Sequence, residues 1–207
     1  MTPEDFAEYL RPGYEGQGYE FKGAFLRGDA LFFAKVTRAA LGMVNRVGGG
    51  LIFIGIDELP DGGGLVLAGL SDSQRDSWNY DDVAAGFAPA ADPRLTFDRE
   101  VLEYEGRSFV ILTIHEFEDI PVLCAKDYNH GGVSILRKGA LYVRSRGKPE
   151  TSEVPTQTEM RAVLDLAIDK GVRAFLARSG RVGLYAPPAA EPDDAKMFAD
   201  ELVEPDA

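Results

Sequence analysis

Six residues, Leu51-Ile52-Phe53-Ile54-Gly55-Ile56, offer no polar side chain between a glycine triplet (Gly48, Gly49, Gly50) and two acids (Asp57, Glu58). A strand with one wet face alternates apolar with polar residues; this run does not, and so predicts a central strand covered on both sides. It also fixes where charge can enter. The glycines make the turn into the strand, and the two carboxylates sit where it runs out.

The chain around this strand reads in order. Residues 3–10 predict a short helix, with Thr2 as its cap and Pro3 in its first position. A strand begins near Gly18, in which Glu20 and Lys22 share a face because side chains alternate with period two. Glu15 lies five positions before Glu20. An unbroken strand would aim the two opposite ways, so a bend at Gly13, Gly16 and Gly18 is required to unite them. Asp29 to about Val44 reads as a helix capped by Asp29 and ended by Asn45 and the glycines.

Downstream, 65–70 is a hairpin partner for the central run, and Ser71 to Phe87 reads as one helix with Val83 and Phe87 inward. Two strands are expected around the Glu105-Gly106 turn, then shorter ones through PVLCAKD, VSILRKG and ALYVRSRG. The last puts Tyr142, Arg144 and Arg146 on one face. Residues 156–178 form an amphipathic helix, with Gly171 a point of interruption.

Glu15, Glu20 and the Asp57-Glu58 pair thus come to the ends of neighbouring strands. Carboxylates gathered in this way are hard oxygen ligands for Mg2+ or Mn2+, and Lys22 is placed to neutralise charge on a scissile phosphate. The plainer alternative is a set of solvated loop and edge charges. Arg137, Lys138, Arg144, Arg146 and Lys148 make a candidate surface for a phosphate backbone, with Tyr142 as a stacking partner; charged edges that merely block aggregation look the same. The glycine triplet precedes a strand rather than a helix, and no Lys-Ser/Thr follows it, so it reads as a turn and not a phosphate loop. His115 and His130 fall in no metal-ligand spacing. Cys124 alternates with apolar neighbours and reads as a core thiol.

Composition bounds the rest. With 207 residues the chain suffices for one domain, 1–180, plus an acidic Pro/Ala-rich flexible tail, 181–207. The net charge of -12 opposes non-specific coating of a polyanion. Within 188–207, however, seven carboxylates face one lysine, so half of that charge lies in the tail. No run is long enough to span a bilayer, the N-terminus lacks the pattern of a signal peptide, and a lone cysteine suits a reducing cytoplasm.

Two motifs carry a resemblance. The first is Glu15 followed by Glu20-Phe21-Lys22; the second is Asn45, Gly49-Gly50 and a strand ending Gly55-Ile56-Asp57-Glu58. A later Gly139-Ala140-Leu141-Tyr142-Val143-Arg144 matches the same pattern. In this order and spacing, from residue 14 to about 160, the chain resembles the Schlafen-type, AlbA-like domain. The resemblance implies an α/β (α+β) fold, a mixed β-sheet flanked by helices. It also implies metal-dependent endonucleolytic cleavage of structured RNA such as transfer RNA, and sometimes DNA, with Glu15, Glu20 and Glu58 as the carboxylate trio. Where the family pattern has aspartate, this chain has Glu58, and Asp57 stands beside it. Relatives with two such lobes in tandem imply that this single one pairs as a homodimer or higher homo-oligomer. An endoribonuclease acting in defence or as a toxin-like effector is the leading expectation. A non-catalytic nucleic-acid-binding or regulatory module, and an assembly subunit working through tail and edge strands, are the alternatives.

Overall fold

The computed structural model describes residues 1–59, 63–145 and 149–183. Residues 60–62, 146–148 and 184–207, which include Arg146, Lys148 and most of the expected acidic tail, lie outside the described residues.

Helix α1 (Pro3–Leu10) starts as expected: Thr2 Oγ accepts from Asp5 N, and the Asp5 carboxylate accepts from Thr2 N. Strand β1 (Tyr19–Lys22) leads through helix α2 (Ala30–Val44) into β2 (Gly50–Ile54), which lies parallel to β1 with Glu20 opposite Ile52 and Lys22 opposite Ile54. Gly55 then takes φ +110°, a conformation closed to residues with a Cβ, and turns the chain into β3 (Ile56–Glu58). β3 pairs antiparallel with β4 (Leu65–Leu67).

One helix was expected over 71–87, but two form, α3 (Asp72–Ser77) and α4 (Tyr80–Phe87). Ser71 caps the first, and Asn79 interrupts by capping the second through its side chain to Asp82 N. Trp78, in the break, is fully buried, and its indole N–H donates to Phe25 O at 2.9 Å.

The remaining strands are β5 (Ala91–Asp92), β6 (Phe97–Tyr104), β7 (Arg107–Ile114), β8 (Leu123–Cys124), β9 (Tyr128–His130), β10 (Val133–Leu136), β11 (Tyr142–Arg144) and β12 (Thr151–Glu153). β12 was not anticipated, and PVLCAKD supplies only a two-residue strand, with the Cys124 thiol buried as expected. Helix α5 (Gln157–Arg181) runs through Gly171 without a break.

Among the described residues the main sheet has four strands in the order β1-β2-β7-β6, with β7 antiparallel to both neighbours. Both of its faces are covered. Ile52, Ile54, Val110 and Leu112 join Val36, Ala40 and Met43 of α2 in one core. Phe53, Phe109 and Ile111 meet Phe6 of α1 and Phe21 in the other, with the Phe6 and Phe53 rings 5.5 Å apart. The central run is covered on both faces as its composition demanded, and the sheet is the mixed one flanked by helices that the resemblance implied.

The chain divides into two compact units, Met1–Ala167 and Ile168–Ala207. The first holds the sheet and both cores. The described part of the second is the C-terminal half of α5, on which Ile168, Val172 and Phe175 are exposed. No helix among the described residues is long and apolar enough to cross a membrane.

Candidate functional site

The parallel pairing of β1 with β2 sets Glu20 and Lys22 on one side of β1, and Tyr19 and Phe21 on the other, packed in the α1 core. Glu20 is buried, which a lone carboxylate would not tolerate. It is held between two cations. One oxygen pairs with Lys22 Nζ and the other with Arg144 Nη1.

Arg144 arrives from β11 with its side chain 1% exposed. Its Nη2 donates to Gly16 O at 3.0 Å and Tyr19 O at 2.9 Å, and stands 3.5 Å from Glu15 Oε2. Lys22 Nζ also donates to Phe21 O at 3.0 Å and lies 3.6 Å from Glu15 Oε1.

The bend needed to unite Glu15 with Glu20 is present. Gly13 adopts φ +76°, and a Cβ on Gly16 would sit 2.2 Å from the Tyr19 ring, so only glycine lets the loop close against that side chain. With the chain folded back, Glu15 Oε1 accepts from Phe21 N at 2.9 Å. Glu15 N donates to Glu58 Oε1 at 3.1 Å, which ties the end of β3 to the same place. Asp57 turns the other way: a Cβ on Gly23 would lie 2.2 Å from Asp57 Oδ1, so its carboxylate rests against the end of β1.

Two carboxylates, Glu15 and Glu20, therefore share two cations, with Glu58 close enough to accept from the Glu15 main-chain N–H. Burial, then the negative charge of Glu20, pushes the Glu15 carboxyl up to about 7; Glu58 adds to the rise, while Lys22 and Arg144 oppose it. At neutral pH the cluster thus sits near the point where Glu15 changes charge.

The donor set is all carboxylate, which suits a hard divalent cation, and the Lys22 ammonium stands in for a cation between Glu15 and Glu20. Among the described residues no three His, Cys, Asp or Glu side chains are already grouped as metal ligands. Uptake of a metal by Glu15, Glu20 and Glu58 therefore requires Lys22 to move off Glu20.

Among the described residues the expected basic face is not assembled on the surface; Arg146 and Lys148 lie outside them. Tyr142 and Arg144 do share one face of β11, but that face points inward because β11 packs on α2 and pairs with β12. The Tyr142 hydroxyl accepts from Arg137 N at 3.0 Å, so its ring is no exposed stacking platform. Arg144 belongs to the carboxylate cluster instead. Arg137 is engaged by Glu153, its Nε 2.8 Å from Oε1, and Lys138 remains exposed beside it. His115 pairs with Asp98 at 2.8 Å on the surface, and His130 is exposed on β9.

One residue escaped the sequence reading. Lys35 of α2 lines a cavity of about 290 Å3 together with Lys22, Asp57 and Glu58. Its sequence signal is being one of two charges, with Arg38, in a largely apolar helix, which does not say which cavity the charge overlooks.

Some solved structures are similar in part. The DIP2311 protein from Corynebacterium diphtheriae is 14% identical over 75% of this chain, with a TM-score of 0.47; this chain spans only 27% of its length. The N-terminal domain of a RecG-related protein from Nitrosomonas europaea is 18% identical over 76% of this chain and 98% of that domain, with a TM-score of 0.49. No curated protein matches. The family model described as "Schlafen, AlbA_2" matches residues 15–148, a span that holds Glu15, Glu20, Lys22, Asp57, Glu58 and Arg144. On that match over most of its length, and with the ordered motifs brought to one place by the fold, this chain belongs to the Schlafen AlbA_2 family.

Proposed function

We propose that the domain acts on the phosphodiester backbone of a nucleic acid, RNA in preference to DNA, as a divalent-metal-dependent endonuclease. The observation that carries this reading is the convergence of Glu15 and Glu20 on the Lys22 ammonium, with the end of β3 tied to the same place by Glu58 accepting from the Glu15 main-chain N–H. Membership of the family supports the nucleic-acid part. Mg2+ or Mn2+ held by these carboxylates would polarise a phosphate oxygen and lower the pKa of a bound water. Burial and the charges of Glu20 and Glu58 make ionisation of Glu15 costly, and an added cation removes that cost. Lys22, once off Glu20, carries its ammonium to the phosphate oxygens, where charge builds in the transition state. Arg144 stays on Glu20 and fixes its carboxylate against the Gly16 and Tyr19 carbonyls.

The test is cleavage of transfer RNA and of single-stranded DNA in Mg2+, in Mn2+ and in chelator. Glu58 is exposed, so Glu58→Ala leaves the buried ion pairs alone, whereas Glu20→Ala strands Arg144. The expected result is metal-dependent cutting that falls about 100-fold in Glu58→Ala, the upper end of what even supporting residues of a metal site cost. Cutting that survives chelator, or that Glu58→Ala leaves unchanged, removes the proposal.

A second reading, a non-catalytic nucleic-acid-binding or regulatory module, is favoured by the fact that both Glu20 oxygens already hold cations. It predicts retention of RNA in a gel shift with no cleavage under any metal condition.

A further inference from the structure

A second basic site lies on the other side of the α2 N-terminal turns. Arg27, in the loop before α2, is held from three directions. Its guanidinium stacks 4.3 Å over the Phe33 ring, its main-chain N–H donates to Ser77 Oγ at 3.0 Å, and its Nη2 fills the space beside Gly86, where a Cβ would come within 2.1 Å. A guanidinium set this firmly is normally matched to an acceptor. Among the described residues it has no hydrogen-bond or ion-pair partner, and its Nε is buried with none.

Lys126 borders the same cavity of about 220 Å3, as do Tyr128 and Thr37. Its ammonium too has no ion-pair partner among the described residues. No carboxylate lines the cavity, although acids outnumber bases 34 to 22 in the chain. The two acids nearest in sequence are committed elsewhere. Asp29 accepts from Phe32 N as the cap of α2, and Asp127 accepts from Lys138 N.

We propose that this cavity binds a phosphate group. Two cations without counter-charge match the charge of a phosphate, and the Arg27 fork matches its oxygens. Resting on the function proposed above, the phosphate is one of the nucleic-acid backbone. Asp29, Phe32 and Lys35 of α2 line the cavity that holds Lys22 and Glu58, while Phe33 and Thr37 line this one. A strand laid across the first turns of α2 meets both, so the site anchors it away from the carboxylates.

The experiment uses the full chain in chelator, with single-stranded RNA binding read by fluorescence anisotropy over a range of salt. Inorganic phosphate is the second probe, read by thermal shift. Lys126→Gln and the double variant Arg27→Lys/Lys126→Gln are compared with wild type, with circular dichroism and the thermal midpoint of each variant checking that the fold is retained. The expected result is affinity about tenfold weaker in Lys126→Gln and a salt slope shallower by about 0.7, one phosphate contact on a single strand. Phosphate stabilises any fold by exclusion, so its readout is the extra shift in wild type over the variants. RNA affinity and slope unchanged in both variants, with no extra phosphate shift, overturn the site. An extra phosphate shift in a wild type that does not bind RNA supports the anion site and instead overturns the nucleic-acid reading beneath it. Variants that lose RNA affinity while metal-dependent cleavage in wild type is absent support the site and leave the domain as a binding module.

Discussion

Glu15 carries a carboxyl that changes charge near neutral pH. Its carboxyl rises from the ordinary 4.5 to about 7 on folding, so the folded chain holds a proton there that the unfolded chain has released. The associated stability is fully present below 4.5 and is lost as pH climbs through 7. Glu15→Gln fixes the neutral state and keeps an oxygen to accept from Phe21 N. In chelator the variant should match wild type at pH 4 and exceed it above pH 7 by at most about 3 kcal/mol. Urea melts at a series of pH values read this directly, and parallel stability curves would refute the assignment. Arg144 and Glu20 depend on one another more strictly. Burial makes each cation or carboxylate in the pair tolerable only with its partner, which is why the arginine cannot also serve an external ligand.

At the level of elements, the site depends on how α2 ends. Asn45 caps α2 by position, and its side chain reaches well beyond the helix. Its Nδ2 donates towards Leu41 O, Val122 O and Tyr142 O at 3.1, 2.8 and 3.0 Å, and its Oδ1 accepts from Val122 N at 2.8 Å. One buried amide thus pins β11, and with it Arg144, to the end of the helix that connects β1 to β2. Asn45→Ala should lower stability by about 3–5 kcal/mol, because several buried backbone groups lose their partners at once. A shift in urea midpoint equivalent to under about 1 kcal/mol would show that water replaces the amide without cost. The position was legible in the sequence as the asparagine of the family pattern. Its partners were not, since they lie 77 and 97 residues away along the chain.

For the whole molecule, α5 poses the question of a partner. Ile168, Val172 and Phe175 fall at helical spacing on one exposed face. Asp165 is already paired with Arg161 at 2.9 Å, and Arg173, Arg178 and Arg181 gather positive charge towards the C-terminal end of the helix. A second copy laid along it covers the apolar face, and a homodimer paired in this way is the proposed assembly. Light scattering should return twice the 22.5 kDa chain mass for wild type and the single mass for Phe175→Asp; a monomeric wild type would end the proposal. The amphipathic pattern of 156–178 was plain from the sequence, but which apolar residues it would leave in water was not. Local chemistry alone determined the elements: an unrelieved apolar run had to be a central strand, Thr2 and Asp29 had to cap helices, and glycines before Glu20 had to bend. Those properties depend on near neighbours and on water. Whether Arg144 would meet a phosphate or a buried glutamate, and whether Tyr142 would stack outside or close a strand inside, depended on which face of β11 the α2 helix would cover. That choice is made by packing between distant segments, and only the tertiary structure decided it.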